Sequence, residues 1–169
     1  IKRDNAQGWV RGKYKVPGPY VLTVGDLQPR KNYVRLIEAF ASVMREYPKL
    51  SHHLVIAGKA AAWYEPTVRK AVKASGFESR IHLLGWVPDA DMLKLYGGCE
   101  MFAFPSLYEG FGIPILEAMA CGRSVACSKV TAMPEVADGA GVLFDPRSVE
   151  DMSRAMRDLL LDAELRARM

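Results

Sequence analysis

Met101-Phe102-Ala103-Phe104-Pro105-Ser106-Leu107-Tyr108-Glu109-Gly110-Phe111-Gly112-Ile113-Pro114-Ile115-Leu116-Glu117-Ala118-Met119-Ala120 passes from an apolar strand, through a glycine loop, into an apolar helix. The opening run is short and bounded by Pro105, which suits a buried strand. Pro114 suits the first helical position, where a missing N–H costs nothing, and the helix runs to Gly122. Glu109 is then expected in a loop at the carboxyl edge of a strand, and Glu117 on the first turn of the helix. Gly110 and Gly112 let a ligand approach the backbone closely. A helix N-terminus offers unpaired N–H groups and positive dipole potential to phosphate oxygens. Carboxylates accept hydrogen bonds from sugar or ribose hydroxyls. The stretch therefore suits a sugar joined to a diphosphate. Acidic residues near a helix start are also favoured by the dipole alone, so the glutamates need their surroundings before they carry a role.

Outward from this stretch, strand and helix patterns alternate. Residues 1 to about 18 are polar and punctuated by Gly and Pro, like an interdomain linker or N-terminal extension. Tyr20–Val24 reads as a strand ending at Gly25, and a helix follows near Asn32 until Pro48 stops it. His53–Ala57 is a second strand stopped by Gly58, with a helix from Pro66 to Gly76. Arg80–Leu84 is a third, followed by a short helix from Asp89 to about Gly97. Ser124–Cys127 and Gly141–Phe144 complete the strands, and Val149, Met152, Met156 and Leu159 trace a last amphipathic helix. Apolar strands alternating with helices imply an α/β, doubly wound, parallel six-stranded sheet with helices on both faces, over residues 19–169. In such a Rossmann-like fold ligands bind at the carboxyl ends of the strands.

Composition bounds the rest. The 169 residues amount to about one domain, half hydrophobic and a quarter charged, as in ordinary globular proteins. A net charge of +4 with scattered Lys and Arg lacks the dense basic stripe of a nucleic-acid binder, so no nucleic-acid partner is expected. Cys99, Cys121 and Cys127 show no CxxC spacing, which suggests neither a zinc site nor a disulfide framework. No apolar run approaches the ~20 residues that span a bilayer, and the start lacks the apolar core of a signal peptide. The chain begins without Met and ends inside a helical pattern, so a piece of something longer is expected.

A second loop is expected at the same sheet edge. Gly25-Asp26-Leu27-Gln28-Pro29-Arg30-Lys31-Asn32 turns from the first strand into a helix. Lys31, together with Arg30, would point cations at a phosphate lying on the helix end. Asp89-Ala90-Asp91 spells a metal-holding triad, but it follows Pro88 at a helix start, where N-capping explains it. His52, His53 and His82 have no third ligand spaced nearby and read as structural. Trp63, Tyr64 and Trp86 read as packing or rim residues.

The segments VGDLQPRKN, LLGWVPDADMLKLYGGC, PSLYEGFGIPILEAMACGRSV and PEVADGAGVLFDP resemble the C-terminal domain of retaining glycosyltransferases of family 4, the glycogen-synthase/sucrose-synthase-like enzymes. The resemblance covers roughly residues 19–169 and rests on the Glu-x7-Glu motif in its EGFGxPxLEAMACG setting. It implies the GT-B architecture, two Rossmann-like domains facing across a cleft, with the N-terminal acceptor domain absent from this chain. By position, Glu109 resembles the motif glutamate that lies against the transferred sugar. Glu117 resembles the one that binds the nucleotide ribose. Lys31 matches the lysine that neutralises the donor diphosphate, which makes Glu109 and Lys31 the implied catalytic pair. Gly110, Phe111, Gly112 and Ile113 would offer backbone N–H groups to sugar and diphosphate, beside Gly25 and Arg30. Val87 matches a backbone contact to the nucleobase. One position departs: Asp26 stands where many members have an arginine on the diphosphate. Either Arg30 or a group from the missing half supplies that charge, or donor affinity falls.

The resemblance thus implies the donor-binding half of a hexosyltransferase, inactive without its acceptor domain. It would move a sugar from a UDP- or GDP-sugar to a glycan or lipid-linked acceptor, in polysaccharide biosynthesis. No cofactor and no metal are expected, because helix dipole and Lys31 would replace the cation. The expected location is the cytoplasm, with peripheral membrane association as the variant for the full-length enzyme. Two alternatives stay open: a glycoside hydrolase with Glu109 and Glu117 as acid and base, and a nucleotide-sugar binding module without chemistry of its own.

Overall fold

Strands that are apolar on both faces can be stable only inside a sheet covered from both sides. The computed structural model describes residues 3–169 and shows this arrangement. Strands β1 (Tyr20–Val24), β2 (His53–Ala57), β3 (Ile81–Gly85), β4 (Met101–Phe104), β5 (Ser124–Ser128) and β6 (Gly141–Phe144) lie parallel in the order β3-β2-β1-β4-β5-β6. The chain order reverses between β1 and β4, which pair in register Val21↔Met101 and Leu22↔Phe102. That reversal is the switch point at which doubly wound sheets open a ligand crevice.

Period-2 alternation divides the core. Val21, Leu54, Ile56, Met101 and Ala103 face the layer of α2 (Tyr33–Glu46), α3 (Glu65–Ser75) and α7 (Val149–Leu161). Tyr20, Leu22, Val55, Phe102 and Phe104 face α1 (Arg3–Tyr14), α4 (Asp89–Gly98), α5 (Ile113–Ala120) and α6 (Met133–Ala137). The largest helix payload is on α2, where Leu36, Ile37, Phe40 and Met44 are fully buried at helical spacing. A last helix, α8 (Ala163–Arg168), brings Arg166 to Glu100 at 3.2 Å.

Expected strands and helices coincide with the structure at most positions, and the differences have local causes. The segment read as a linker is mostly helix: α1 buries Ala6 and Val10 against α4 although Gly8 and Gly12 weaken its helical pattern. The Asp89-Ala90-Asp91 triad, expected to cap the helix, does not cap it. The N-cap of α4 is Pro88 with no side-chain bond, and Asp91 instead accepts hydrogen bonds from Lys13 at 2.5 Å and Tyr14 at 2.6 Å of α1. Pro114 is the second residue of α5, and Glu117 lies beyond its first turn. Among the described residues no helix is long and apolar enough to cross a membrane, and all three cysteines are free.

The histidines cluster at the start of β2 and β3, with His53 Nδ1 3.0 Å from His82 Nε2. Burial, with His82 and Arg80 nearby, holds His53 down to about 4, and burial also lowers His52 and His82. The folded pKa lies below the ordinary 6.5, so the unfolded chain binds more protons in between. Stability is therefore complete above about 6.5 and is lost as pH falls toward 4. The urea midpoint should drop across that window, and His53→Gln should flatten the drop. An unchanged slope in the variant would remove His53 as a cause.

Candidate functional site: a nucleoside-sized cavity beside a charged switch point

At the carboxyl edge the backbone is arranged before any side chain acts. Gly25 ends β1 at φ 144°, and a Cβ there would stand 2.8 Å from Lys31 Cε, so the bare backbone makes room for the lysine. A Cβ at Gly58 would meet the Gly25 carbonyl oxygen at 2.0 Å, which forces glycine where the ends of β1 and β2 converge. Asn32 adopts the left-handed conformation at φ 59°, which asparagine tolerates. Its side-chain amide donates to the Pro105 carbonyl at 3.1 Å and the Pro146 carbonyl at 2.7 Å. The Leu107 N–H donates to the Arg30 carbonyl at 2.7 Å. These bonds fasten the loop after β1 to the loop after β4.

Fastened in this way, the loops bring three charges together. Lys31 Nζ lies 2.7 Å and Arg30 Nη1 2.8 Å from Glu109 Oε1. Lys31 is 7% exposed, and its ammonium sits 5.0 Å from the centre of the Phe104 ring, within cation–π range. Burial alone would raise the Glu109 carboxyl; the Lys31 hydrogen bond, with the charges of Lys31 and Arg30, outweighs it and holds Glu109 below its ordinary value. The loop continues to Gly112, which is left-handed at φ 102° and caps α5 by accepting from the Ile115 N–H at 2.9 Å. Among the described residues, the N–H groups of Gly110, Phe111, Gly112 and Ile113 have no acceptor. Phe111 and Ile113 turn outward, 56% and 59% exposed.

Next to this cluster lies a cavity of about 540 Å³ across the ends of β1, β2 and β3, within the size range of small-molecule sites. Val24, Gly25, Ala57 and Gly58 line it from the strand ends, Trp86, Val87, Asp89, Met92 and Leu93 from the approach to α4, and Glu117 and Cys121 from α5. Glu117 Oε2 accepts from the buried Tyr96 hydroxyl at 2.7 Å, and burial and Glu117 together raise that phenol far above its ordinary range.

The structure thus brings Gly25, Val87 and Glu117 into one cavity and Arg30, Lys31 and Glu109 into one cluster, with the Gly110–Ile113 loop alongside. The two glutamates do not share a partner. Sequence reading overlooked Tyr96, which orients Glu117; its only signal was a tyrosine on the inner face of a helix. It also overlooked Lys59, which lines the cavity and whose N–H donates to Asp26 Oδ1 at 3.0 Å.

Replacing Lys31 tests the electrostatics of the cluster. A carboxylate whose folded pKa is depressed contributes stability above its unfolded value and loses it as pH falls through the folded one. Lys31→Met should move the Glu109 titration, followed by carboxyl-carbon NMR, upward from its depressed position. An unmoved titration would mean that Lys31 does not set the Glu109 charge.

Residues 11–169 match the model of glycosyl transferases group 1. The chain is 39% identical over 143 residues to O-antigen chain mannosyltransferase B of Escherichia coli, covering 85% of this chain and 37% of that protein. It spans about a third or less of the curated mannosyltransferases it matches, 19% of serotype-specific mannosyltransferase WbdA of E. coli at 34% identity over 158 residues and 90% of this chain. In structure it is similar to the C-terminal domain of the group 1 glycosyl transferase LpcC of Francisella tularensis, with a TM-score of 0.83, 28% identity, and coverage of 99% of this chain and 88% of that one. The sheet order, the switch-point loops and the match over nearly the whole length make this chain a member of the group 1 glycosyl transferases, with the fold of a GT-B domain.

Proposed function

We propose that this chain is the donor-binding half of a retaining family 4 glycosyltransferase, acting with an acceptor domain on a glycan or lipid-linked acceptor. One observation carries the reading: a nucleoside-sized cavity lined by Glu117 adjoins a switch point where two cations meet Glu109, the residue just before a loop whose N–H groups have no acceptor among the described residues. Glu117, held by Tyr96, receives the ribose hydroxyls. The base lies past Val87. The diphosphate sits between the cations and the Gly110–Ile113 loop, and draws Lys31 and Arg30 from Glu109 onto its own oxygens. Asp26 is engaged by the Lys59 N–H, so Arg30 replaces the arginine that family members carry at that position.

The reaction breaks the bond between the anomeric carbon and the diphosphate oxygen. Negative charge grows on the leaving diphosphate, where Lys31 and fixed N–H donors stabilise it. Positive character grows on the sugar, where the freed Glu109 carboxylate is the nearest anion. Attack from the same face retains configuration. No metal is required, since the cations already neutralise the leaving group. The relatives bearing mannosyltransferase names support hexosyl transfer and polysaccharide assembly. A hydrolase reading would need Glu109 as an acid with a raised pKa, and its pKa is depressed. The whole enzyme would work in the cytoplasm, and a lipid-linked acceptor would bring it to the membrane surface.

A nucleoside diphosphate should raise the melting temperature of this chain, in EDTA as well as without it, and the free nucleoside should raise it less. Lys31→Ala and Glu117→Ala should each weaken the shift, by about tenfold in affinity for a lost charge-assisted bond. Equal protection by nucleoside and diphosphate would contradict the phosphate site, and loss of protection in EDTA would contradict metal independence. In the enzyme joined to its acceptor domain, Glu109→Ala should lower turnover at least about a hundredfold, as for removal of one preorganised group. Near-normal transfer, or a product of inverted anomeric configuration by NMR, would refute the role given to Glu109 or the retaining step.

A further inference from the structure

The exchange proposed at the switch point would strip Glu109 of its partners. Its side chain is only 12% exposed, and both cations bind the same oxygen, Lys31 Nζ at 2.7 Å and Arg30 Nη1 at 2.8 Å from Oε1. Among the described residues Oε2 accepts no hydrogen bond. Once a diphosphate takes both cations, a largely buried carboxylate is left without a counter-charge. Such a group takes up a proton or follows the departing cations. Either outcome removes the anion from beside the sugar, so a third group has to hold it.

A reserve donor stands on the same loop. Ser106, three residues before Glu109, is 0% exposed, and its buried hydroxyl makes no hydrogen bond among the described residues. Burying a hydroxyl without a partner is costly, and alanine would fill the same place without that cost. Its neighbour is the Glu109 carboxyl: burial raises that group, and the Ser106 hydroxyl counters the rise next after Lys31. The main chain around the pair is fixed separately. The Glu109 N–H donates to Thr131 Oγ1 at 3.3 Å, and the Leu107 N–H donates to the Arg30 carbonyl at 2.7 Å. Thr131 is left-handed at φ 55°, a conformation that a β-branched residue keeps only when its surroundings impose it. The side chains of Lys31 and Arg30 can therefore leave while Glu109 stays within reach of Ser106.

We propose that Ser106 is a positioning residue for Glu109: when a diphosphate draws Lys31 and Arg30 away, the Ser106 hydroxyl donates to the Glu109 carboxylate and holds it, charged, beside the transferred sugar. This rests on the nucleotide-sugar reading of the site and adds what keeps the carboxylate in place after its cations have gone. It also gives the orphaned hydroxyl a use, since its partner is then the oxygen that the cations leave open.

Ser106→Ala tests the hand-over. The melting temperature of this chain without nucleotide should be unchanged or higher in the variant, because an unpaired buried hydroxyl is removed. Carboxyl-carbon NMR should show the Glu109 titration moving up slightly in the variant without nucleotide, and moving up further with saturating UDP or GDP, when Ser106 is the remaining donor. In the enzyme joined to its acceptor domain, kcat should fall about tenfold, the worth of one hydrogen bond to a charged group, while the donor KM changes little. A lowered melting temperature with an unmoved Glu109 titration would make Ser106 a structural hydroxyl and overturn the proposal. An equal upward movement with and without nucleotide would overturn the hand-over, and nucleotide binding with no movement at all would overturn Ser106 alone, leaving the nucleotide site intact. If neither UDP nor GDP binds, the site is refuted and the role of Ser106 with it.

Discussion

The pairing of β1 with β4 is the constraint on which the site depends. Neighbours in sequence would place β1 beside β2 and β4 beside β3, yet β1 has β2 on one side and β4 on the other. The chain leaves β1 toward one face and leaves β4 toward the opposite face, so nothing fills the space above their shared carboxyl edge. Two loops far apart in sequence therefore meet there, and they are held by hydrogen bonds from Asn32 and Leu107 rather than by packing alone. Losing the register Val21↔Met101 would leave Lys31 without Glu109, though every residue of both loops were unchanged.

The ion cluster shows how burial and charge constrain each other. A lysine as buried as Lys31 costs several kcal/mol unless its ammonium is paired. Glu109 provides the pair, Phe104 an aromatic face, and Gly25 the volume for the stem. The arrangement is stable but not saturated: two cations converge on one carboxylate oxygen, leaving net positive charge beside a row of free N–H groups. Under the proposed function, an anion entering there would replace Glu109 as the partner of both cations, so Lys31 would already be desolvated before the ligand arrived. The bound sugar would then meet a carboxylate that had been neutralised in the empty protein.

Glu109 and Glu117, eight residues apart on one segment, illustrate why spacing does not assign roles. The end of the β4 loop directs Glu109 to the cluster, and the second turn of α5 directs Glu117 into the cavity toward Tyr96. Their electrostatics diverge accordingly, one tied to two cations and the other to a phenol. The same holds for the aspartates at the start of α4, where Asp91 turns to α1 and Asp89 to the cavity.

Period and punctuation determined the strands, because an apolar run stopped by Gly or Pro has few ways to be buried, and alternation with helices left the doubly wound sheet as their natural assembly. The chemical inventory of the site was legible for the same reason: Gly, Lys and Glu at loop positions are costly or unhelpful for folding alone. What local pattern could not carry was anything set by a partner distant in the chain. The helix at Arg3–Tyr14 depends on a face offered by α4, since its glycines give it little intrinsic propensity. The roles of Tyr96 and Asn32 depend on which groups the crossover brings near them. Sequence alone determined which chemistry this protein carries; only the tertiary structure decided which charges face each other and which remain for a ligand, because Coulomb and hydrogen-bond energies depend on distances that the β1–β4 crossover creates.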